Sequence, residues 1–251
     1  MNLIRDINPV TRIAAIIALT TPLLISVDVV SAGIALVSTI LLAPLVGVSW
    51  KQLLQRGWPL FLIAPIAAVS MALYGRPEGT EYFSFLLAHV TENSLSLALA
   101  IGIRVLAVGL PVVVLLSRVD PTDLGDGLAQ VLKLPERFVI GAVAGGRLIT
   151  LFRDDWQSMD RSRRARGIAD QGRIRHFFTM AFGLLVLSLR RGSKLATAME
   201  ARGFGRNDSR TWARTSTVGL VDAAVILTCL VISTVAIVVS VQTGYFRFLG
   251  T

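Results

Sequence analysis

The sequence predicts an all-α integral membrane protein with about five transmembrane helices and a large cytoplasmic insert of long helices. Two features of its composition and one of its charge pattern support this prediction. Of the 251 residues, 53% are hydrophobic and only 16% are charged, whereas a soluble domain has about 25% charged residues. The mean hydropathy is +0.67, and 18 of the 25 Lys and Arg residues lie in the single segment 118–214. An apolar excess of this size is typical of a chain whose solvent is lipid.

Five apolar stretches give the predicted spans. A helix crosses the hydrocarbon core with roughly 17–25 predominantly apolar residues. The first two stretches are separated by little more than Asp28 and Ser31, so we expect a tight helical hairpin with Asp28 in its outer turn. The stretches run over Ile13 to Val30, Ser31 to Val48, Trp58 to Tyr74, Ser94 to Ser117 and Val218 to Thr243.

The loop charges predict the orientation in the membrane. Lys51 and Arg56 follow the second span, the segment 75–93 after the third span is acidic, and the insert is strongly basic. Because cytoplasmic loops of membrane proteins carry an excess of Lys and Arg, we expect a multi-pass protein of the cell membrane with a cytoplasmic N-terminus. The predicted regions are 1–117, an N-terminal four-helix transmembrane region, 118–217, the cytoplasmic region of long helices, and 218–251, a final transmembrane helix.

Helix signals divide the insert further. Asp120 and Pro121 begin a short helix, as its N-cap and its first helical residue. Pro135 and Glu136 begin a longer one, which Gly167 ends as a left-handed C-cap. Apolar residues in alternating steps of four and three predict a heptad-like seam along this longer helix. The seam consists of Phe138, Ala142, Gly145, Ile149, Phe152, Trp156 and Met159.

A third helix of the insert contains an uncharged stretch that is too short to be a span. Residues 176–189 contain no Asp, Glu, Lys or Arg, but 14 residues rise only about 21 Å against a hydrocarbon core of about 30 Å. We expect this stretch either to be buried against the spans or to lie at the membrane interface, and the sequence leaves both open. The helix continues to Arg202 and ends at Gly203.

The two long helices end in the same short pattern. Arg164-Ala165-Arg166-Gly167-Ile168 and Glu200-Ala201-Arg202-Gly203-Phe204 both read x-Ala-Arg-Gly-apolar. A single such end is ordinary, because a cation suits the negative end of the helix dipole and glycine suits the C-cap. Two of them, at two helix ends of one insert in a membrane protein, are a much more specific signal.

On these residues the sequence resembles the transmembrane T component of energy-coupling factor (ECF) transporters, the family that includes the cobalt-transport and biotin-transport permeases. The resemblance covers nearly the whole chain: the N-terminal spans, the Asp120-Pro121 turn with its short helix, the two long helices and the last span. Its most specific part is the pair of Ala-Arg-Gly helix ends, the second within Ala198-Met199-Glu200-Ala201-Arg202-Gly203-Phe204-Gly205.

The resemblance implies a coupling subunit of an ABC-type importer. In the family, the two Ala-Arg-Gly motifs end coupling helices that dock into grooves on a pair of ABC-type ATPases. A small membrane S component binds the substrate, a vitamin or a transition-metal ion, and the coupling helices pass ATP-driven motion to it. The sequence does not identify which substrate is transported. The residues onto which the coupling role carries over are Ala165, Arg166, Gly167, Ala201, Arg202 and Gly203.

We expect no catalytic residues, metal site or cofactor in this chain. The sequence has no G-x-x-x-x-G-K-[ST] phosphate loop, so ATP and Mg are expected on the partner ATPases. His89 and His176 are isolated and Cys229 is the single cysteine, a pattern that does not predict a metal site. The arginines cluster between apolar runs without interleaved aromatic residues, which argues against nucleic-acid binding. Those expected to face solvent or lipid headgroups include Arg161, Arg163 and Arg164.

Two alternative functions and one side-chain pairing stay open. Residues 123–130 have a passing likeness to the Asp-Gly-x-x-Ala-Arg signature of membrane alcohol phosphotransferases, which would make the chain a membrane-embedded phospholipid-processing enzyme, but the Arg and the later paired aspartates are missing. A conventional ABC permease with its own substrate pathway is the nearer alternative. Arg104, midway along the fourth span, needs a partner within the protein, and Asp222 in the last span is the candidate.

Overall fold

The structure, a computed structural model, describes residues 7–75, 80–85, 88–117, 119–168, 172–205 and 211–246. These residues form eight α-helices and one pair of short strands, and the predicted all-α membrane fold is confirmed. The elements are α1 (Pro9–Leu23), α2 (Val29–Leu42), α3 (Trp50–Tyr74), β1 (Glu81–Phe85), β2 (Ala88–Thr91), α4 (Glu92–Leu116), α5 (Pro121–Gln130), α6 (Glu136–Ala165), α7 (Arg173–Ala201) and α8 (Leu220–Gln242).

The chain divides into two compact units. The first, which we call the membrane unit, consists of Met1–Leu124 and Thr217–Thr251. The second, which we call the helical insert, consists of Gly125–Ser216 and contains α6 and α7.

Three helices of the membrane unit are long and apolar enough to cross a membrane, namely α3, α4 and α8, with 25, 25 and 23 residues. The helices α1 and α2 are apolar but have only 15 and 14 residues. At 1.5 Å per residue they rise about 22 and 21 Å, less than a hydrocarbon core of about 30 Å. The first two predicted spans therefore correspond to helices shorter than the sequence indicated.

The bounds of the first two spans were predicted too late in the chain. Asn8 caps α1 by accepting a hydrogen bond from the Val10 backbone N–H at 3.0 Å, and Pro9 occupies the first helical position, where its missing N–H costs nothing. The break after α1 begins at Leu24, not at Val30. The expected tight hairpin is also wrong, because α1 packs mainly against α8, and α2 against α4 and α8.

The third span begins at Trp50 and not at Trp58. Ser49 and Gln52 form a capping box: the Gln52 N–H donates to Ser49 Oγ at 3.3 Å, and the Ser49 N–H donates to Gln52 Oε1 at 3.4 Å. This reciprocal pair satisfies backbone donors of the first turn. Lys51 and Arg56, expected in a loop, therefore lie on α3 itself.

The segment between α3 and α4, expected to be a loop, contains an antiparallel strand pair. β1 and β2 pair from Glu81 opposite Thr91 to Phe85 opposite Ala88, with a register shift between Glu81 and Phe83, and residues 76–79 lie outside the described part. Thr91 ends β2 and is also the N-cap of α4, where it exchanges hydrogen bonds with Ser94. The strand pair therefore leads directly into the fourth span.

Small residues allow the helices of the membrane unit to pack closely. Ala32, Ala35, Ala107 and Ala236 are almost completely buried in one core cluster. At Gly109, where α4 faces α3, an added Cβ would come within 2.7 Å of the Leu60 side chain. In lipid there is no hydrophobic driving force for helices to associate, so close backbone contact through small residues supplies the packing energy.

Asp28 forms the polar centre of the membrane unit and is only 3% exposed. Its Oδ2 accepts from the Ser31 backbone N–H and from Ser240 Oγ, both at 2.6 Å, and its Oδ1 accepts from Ser31 Oγ at 2.8 Å. Asp28 is thus the N-cap of α2 and binds α2 to the last turns of α8. Asp28 lies in the turn between α1 and α2, but its burial was not predicted; an N-cap carboxylate there satisfies helix donors that lipid cannot satisfy.

Arg104 is buried midway along α4, with 8% of its surface exposed. It forms no ion pair with another described residue, and Asp28 acts on it electrostatically from beyond ion-pair distance. The proposed partner Asp222 is otherwise engaged: it accepts from the backbone N–H groups of Asn8 at 2.9 Å and Gly219 at 2.7 Å. Among the described residues, Arg104 Nη1 and Nη2 have no hydrogen-bond partner, so the guanidinium depends on the Asp28 charge for compensation.

We predict that Asp28 and Arg104 are energetically coupled. Asp28→Asn keeps an effective N-cap but removes the charge opposite Arg104, and a buried charge without compensation is strongly destabilising. In a double-mutant cycle with Arg104→Leu, we expect a coupling free energy of about 0.5–3 kcal/mol, measured by unfolding in detergent micelles.

Arg104→Leu alone should cost little, since replacing a buried charge by an apolar residue of similar size is often neutral. The effect of Asp28→Asn is measured in two backgrounds, one with Arg104 and one with Arg104→Leu. Equal destabilisation in both backgrounds would contradict the coupling.

Candidate functional site

The C-terminal end of α6 has the geometry expected from its sequence. The helix ends at Ala165, Arg166 is the C-cap with φ −89° and ψ 2°, and Gly167 follows with φ +67°. The Gly167 N–H donates to the Arg164 carbonyl at 3.0 Å, and the Ile168 N–H donates to the Arg163 carbonyl at 3.1 Å. These two bonds define a Schellman motif, which satisfies the last helix carbonyls and requires the left-handed backbone that glycine adopts without strain.

The C-terminal end of α7 has the same geometry. Arg202 is the C-cap with φ −89° and ψ 10°, and Gly203 follows with φ +80°. The Gly203 N–H donates to the Glu200 carbonyl and the Phe204 N–H to the Met199 carbonyl, both at 2.9 Å. The predicted left-handed glycine ends are confirmed at both helices, and the two ends are structurally equivalent.

The two cap arginines are available to a partner. Arg166 and Arg202 are both exposed, as are the preceding Ala165 and Ala201. Within the part of the chain that the structure describes, neither guanidinium makes a hydrogen bond or an ion pair. Each lies beside the negative end of a helix dipole, which favours a cation there, while leaving its planar set of five donors free for an external acceptor.

The insert places the two arginine caps at opposite ends of an antiparallel helix pair. Near the start of α6, Arg137 donates to the Gly205 carbonyl just after α7, at 2.8 Å. Near the end of α6, Arg163 donates to Thr179 Oγ1 in the first turns of α7, at 2.7 Å. The stretch of α7 from Thr179 to Arg202 rises about 35 Å. The two predicted sites are therefore alike in structure but far apart.

Ion pairs connect α6 to α7 near the Arg166 end. Arg191 binds Asp155 through two nitrogens, at 2.6 and 2.9 Å. Asp160 lies 3.2 Å from His176 Nε2 and 2.6 Å from Arg164. Arg164 is exposed, as expected, and its pair with Asp160 lies within α6 itself.

Arg163 departs from the expectation that it faces solvent or headgroups, because it is half-buried and donates to Thr179 on α7. No role was predicted from the sequence for the acidic partners Asp155 and Asp160. Their signal was that they interrupt an otherwise basic helix end; Asp160 faces His176 near the start of α7, and Asp155 faces Arg191 past its middle.

The predicted apolar seam of α6 holds only over its last part. Trp156 packs on Phe177 of α7, with ring centroids 5.8 Å apart, and a Cβ added at Gly183 would contact the Met159 side chain at 3.1 Å. Earlier seam residues are not covered: Phe138 is 77% exposed and Ile149 69% exposed. The heptad pattern therefore does not give a continuous coiled coil.

The uncharged stretch 176–189 of α7 is largely exposed. Met180 is fully buried, but most of the large apolar residues of the stretch have more than half of their surface accessible. They are Phe177, Phe178, Phe182, Leu185, Val186 and Leu189. This face is bracketed by arginines, of which Arg175 and Arg190 are exposed.

The described residues contain no group of three or more His, Cys, Asp or Glu side chains placed to hold a metal ion. The polar features of the insert are instead ion pairs that connect two helices and two exposed arginines that cap them. The two exposed arginines are accessible for contact with another molecule.

Comparison with known proteins agrees with this character. The chain is 25% identical to the energy-coupling factor transporter transmembrane protein EcfT of Streptococcus equi subsp. equi (strain 4047) over 260 residues, which cover 98% of this chain and 92% of the relative. The family CbiQ, described as cobalt transport protein, matches residues 1–212, a range that includes both arginine caps. Its members are membrane components of transporters and not enzymes, so the phospholipid-processing alternative is not supported. The chain belongs to the CbiQ family of cobalt transport proteins.

Proposed function

We propose that this protein is the transmembrane coupling subunit of an ECF-type ABC importer. Its partners would be two ABC-type ATPase subunits and a substrate-binding membrane S component, and its cargo a vitamin or a transition-metal ion. The name of the relative EcfT and the description of the family support a role within an ECF complex. The observation that carries the proposal is the pair of equivalent, exposed arginine caps on α6 and α7.

Two separated arginines suit two ATPase subunits. A guanidinium on a rigid helix end can donate in parallel to carboxylates or carbonyls lining a groove. The exposed alanine before each arginine, at Ala165 and Ala201, adds little bulk beside the contact. Because about 35 Å of α7 lies between Thr179 and Arg202, the two caps cannot enter one groove, and each would serve one ATPase.

An ion pair and a hydrogen bond between the helices support the transmission of motion. Asp155 with Arg191 and Arg163 with Thr179 join α6 to α7, so that a displacement of one cap moves both helices. ATP and Mg would be bound by the ATPases, and this chain would act without a cofactor. The proposed orientation has a cytoplasmic N-terminus, with the insert on the side where ATP is available.

We predict that Arg166→Ala or Arg202→Ala weakens ATPase association and slows substrate uptake. Removing a charge-paired arginine from an interface costs about 2–3 kcal/mol of association free energy, which corresponds to about 30–150-fold weaker association. The double variant should abolish uptake. Association is measured by co-purification and by surface binding to the ATPase pair in mild detergent, and uptake is measured in proteoliposomes.

Arg161→Ala and Lys194→Ala are matched controls, since both residues are exposed on the same two helices away from the caps. Arg→Lys at either cap should restore association only partly, because a point charge does not reproduce the fork. Normal assembly and uptake in the double Ala variant would refute the coupling role. Substrate binding by the isolated chain would favour a conventional permease.

We also predict that the cap glycines are needed for the direction of each arginine. Gly167→Ala or Gly203→Ala puts a side chain in the left-handed region at a cost of about 1–2 kcal/mol, so the last turn should fray and ATPase binding should fall. Hydrogen exchange of residues 163–168 or 199–204 reports the fraying.

Gly167→Asn should be milder, since asparagine tolerates this conformation better. Gly146→Ala is the control, because it lies inside α6 where an added Cβ meets nothing within 4 Å and should stabilise the helix. Unchanged exchange and binding in both cap variants would show that the glycines are replaceable.

A further inference from the structure

The membrane unit contains an apolar cavity of about 320 Å³ between α1, α2, α4 and α8. The cavity is partly open to the outside of the helix bundle. It extends from the level of Ile7 just before α1, Leu115 at the end of α4 and Val221 at the start of α8. From there it reaches Leu19 in the last third of α1 and Ile232 in the middle of α8. It is thus an elongated space that follows the helices from one end of the bundle toward its middle.

The lining of this cavity excludes polar ligands. Three of its residues carry polar side-chain atoms, Thr39, Thr228 and Cys229. Both threonine hydroxyls donate to carbonyls of their own helices, Thr39 to Ala35 and Thr228 to Ala224, each at 2.8 Å. An apolar cavity of about 150 Å³ already stays dry and takes up benzene, so this larger space favours a hydrocarbon ligand.

Basic residues lie at one end of the cavity. Arg12 Nη1 donates to the carbonyl of Leu115, a lining residue, at 3.5 Å, and Arg56 Nη1 donates to the Ser117 carbonyl two residues further on, at 2.8 Å. Arg12 is buried, whereas Arg56 is exposed. Two guanidiniums therefore lie close to the lining residue Leu115, the buried carboxylate of Asp222 lies beside the lining residue Val221, and Arg56 is the charged group that is exposed at this end.

We propose that this cavity binds one acyl chain of an anionic phospholipid, taken from the leaflet on the side of the α1 N-terminus. The acyl chain would occupy the part of the cavity that is lined by Leu19 and Cys229. The headgroup phosphate would be bound by Arg56, with the charge of Arg12 beneath it. The proposal goes beyond the coupling role and does not depend on it.

The dimensions of α1 and α2 support this occupant. Both helices are shorter than the hydrocarbon core, so a lipid beside them must adjust to the mismatch. A cavity that opens along them allows an acyl chain to lie within the protein instead. An apolar side chain from another membrane subunit is the rival occupant, but it gives no role to the charge at the cavity end, which a phosphate complements.

Photo-crosslinking of the full-length chain in nanodiscs tests the proposal. The probes are phosphatidylglycerol and phosphatidylcholine, each with a diazirine midway along one acyl chain, and adducts are mapped by mass spectrometry. Cys229 and Ile232 report the cavity, and Leu62 and Ile66, exposed on α3, report ordinary lipid contact. We expect cavity adducts to exceed α3 adducts, with phosphatidylglycerol favoured over phosphatidylcholine by about fivefold, the effect of one arginine near a membrane surface.

Two pairs of variants separate the cavity from the charge. Ala224→Phe places a ring in the lining, whereas Ala223→Phe adds the same ring at the neighbouring exposed position outside the lining. Only Ala224→Phe should remove the cavity adducts. Arg56→Gln should abolish the preference for the anionic lipid while keeping the adducts, and Arg153→Gln, exposed on α6, should change neither.

The proposal is overturned if cavity adducts are no more frequent than those on α3, or if the two lipids label the cavity equally. It is also overturned if a co-purified complex yields crosslinks from the cavity to another subunit in place of lipid. Loss of the adducts in Ala224→Phe alone, together with the lipid preference, establishes the site.

Discussion

The membrane unit depends on one constraint: hydrocarbon offers no hydrogen bonds, so every buried polar group must be satisfied by the protein itself. Asp28 meets this constraint for three helices together. Its carboxylate caps α2, binds Ser240 near the end of α8 and supplies the charge opposite Arg104 of α4. The helix α2 is too short to be held by lipid contact along a full span, and this polar connection, with the close packing of alanines, joins it to α4 and α8.

The same requirement shapes the insert. A helix end leaves carbonyls without partners, and the Schellman motifs after α6 and α7 satisfy them through the backbone of Gly167 and Gly203. Because the cap bonds are made by the main chain, the side chains of Arg166 and Arg202 are not consumed in stabilising the helices. The Schellman motif thus ends each helix and leaves an exposed guanidinium at that end. The motif occurs at two helix ends, and this repetition makes the pattern informative.

The sequence predicted what depends on local signals and missed what depends on tertiary partners. The ends of α6 and α7 follow from an arginine before a glycine, and α5 begins at Pro121 after Asp120 as expected. The start of α3 was missed because Lys51 and Arg56 interrupt the apolar run, although Ser49 and Gln52 carried a capping signal. Asp28 was placed in the turn before α2, but its burial and its role as an N-cap were not predicted. The pattern that identifies it is Asp-x-x-Ser before an apolar helix, and no local pattern reveals the contact with Ser240.

The seam of α6 shows the limit of periodicity as evidence. Its spacing is that of a coiled coil, yet Phe138 and Ile149 are exposed while Trp156 and Met159 meet α7. On α7, Phe178 and Phe182 are exposed as well. Contiguous apolar surface of this kind is stable when another protein or a membrane covers it. The apolar pattern therefore describes contacts that one chain cannot make alone, and an insert with arginines at its ends and aromatic residues along its length is structurally complete only in an assembly or at a membrane.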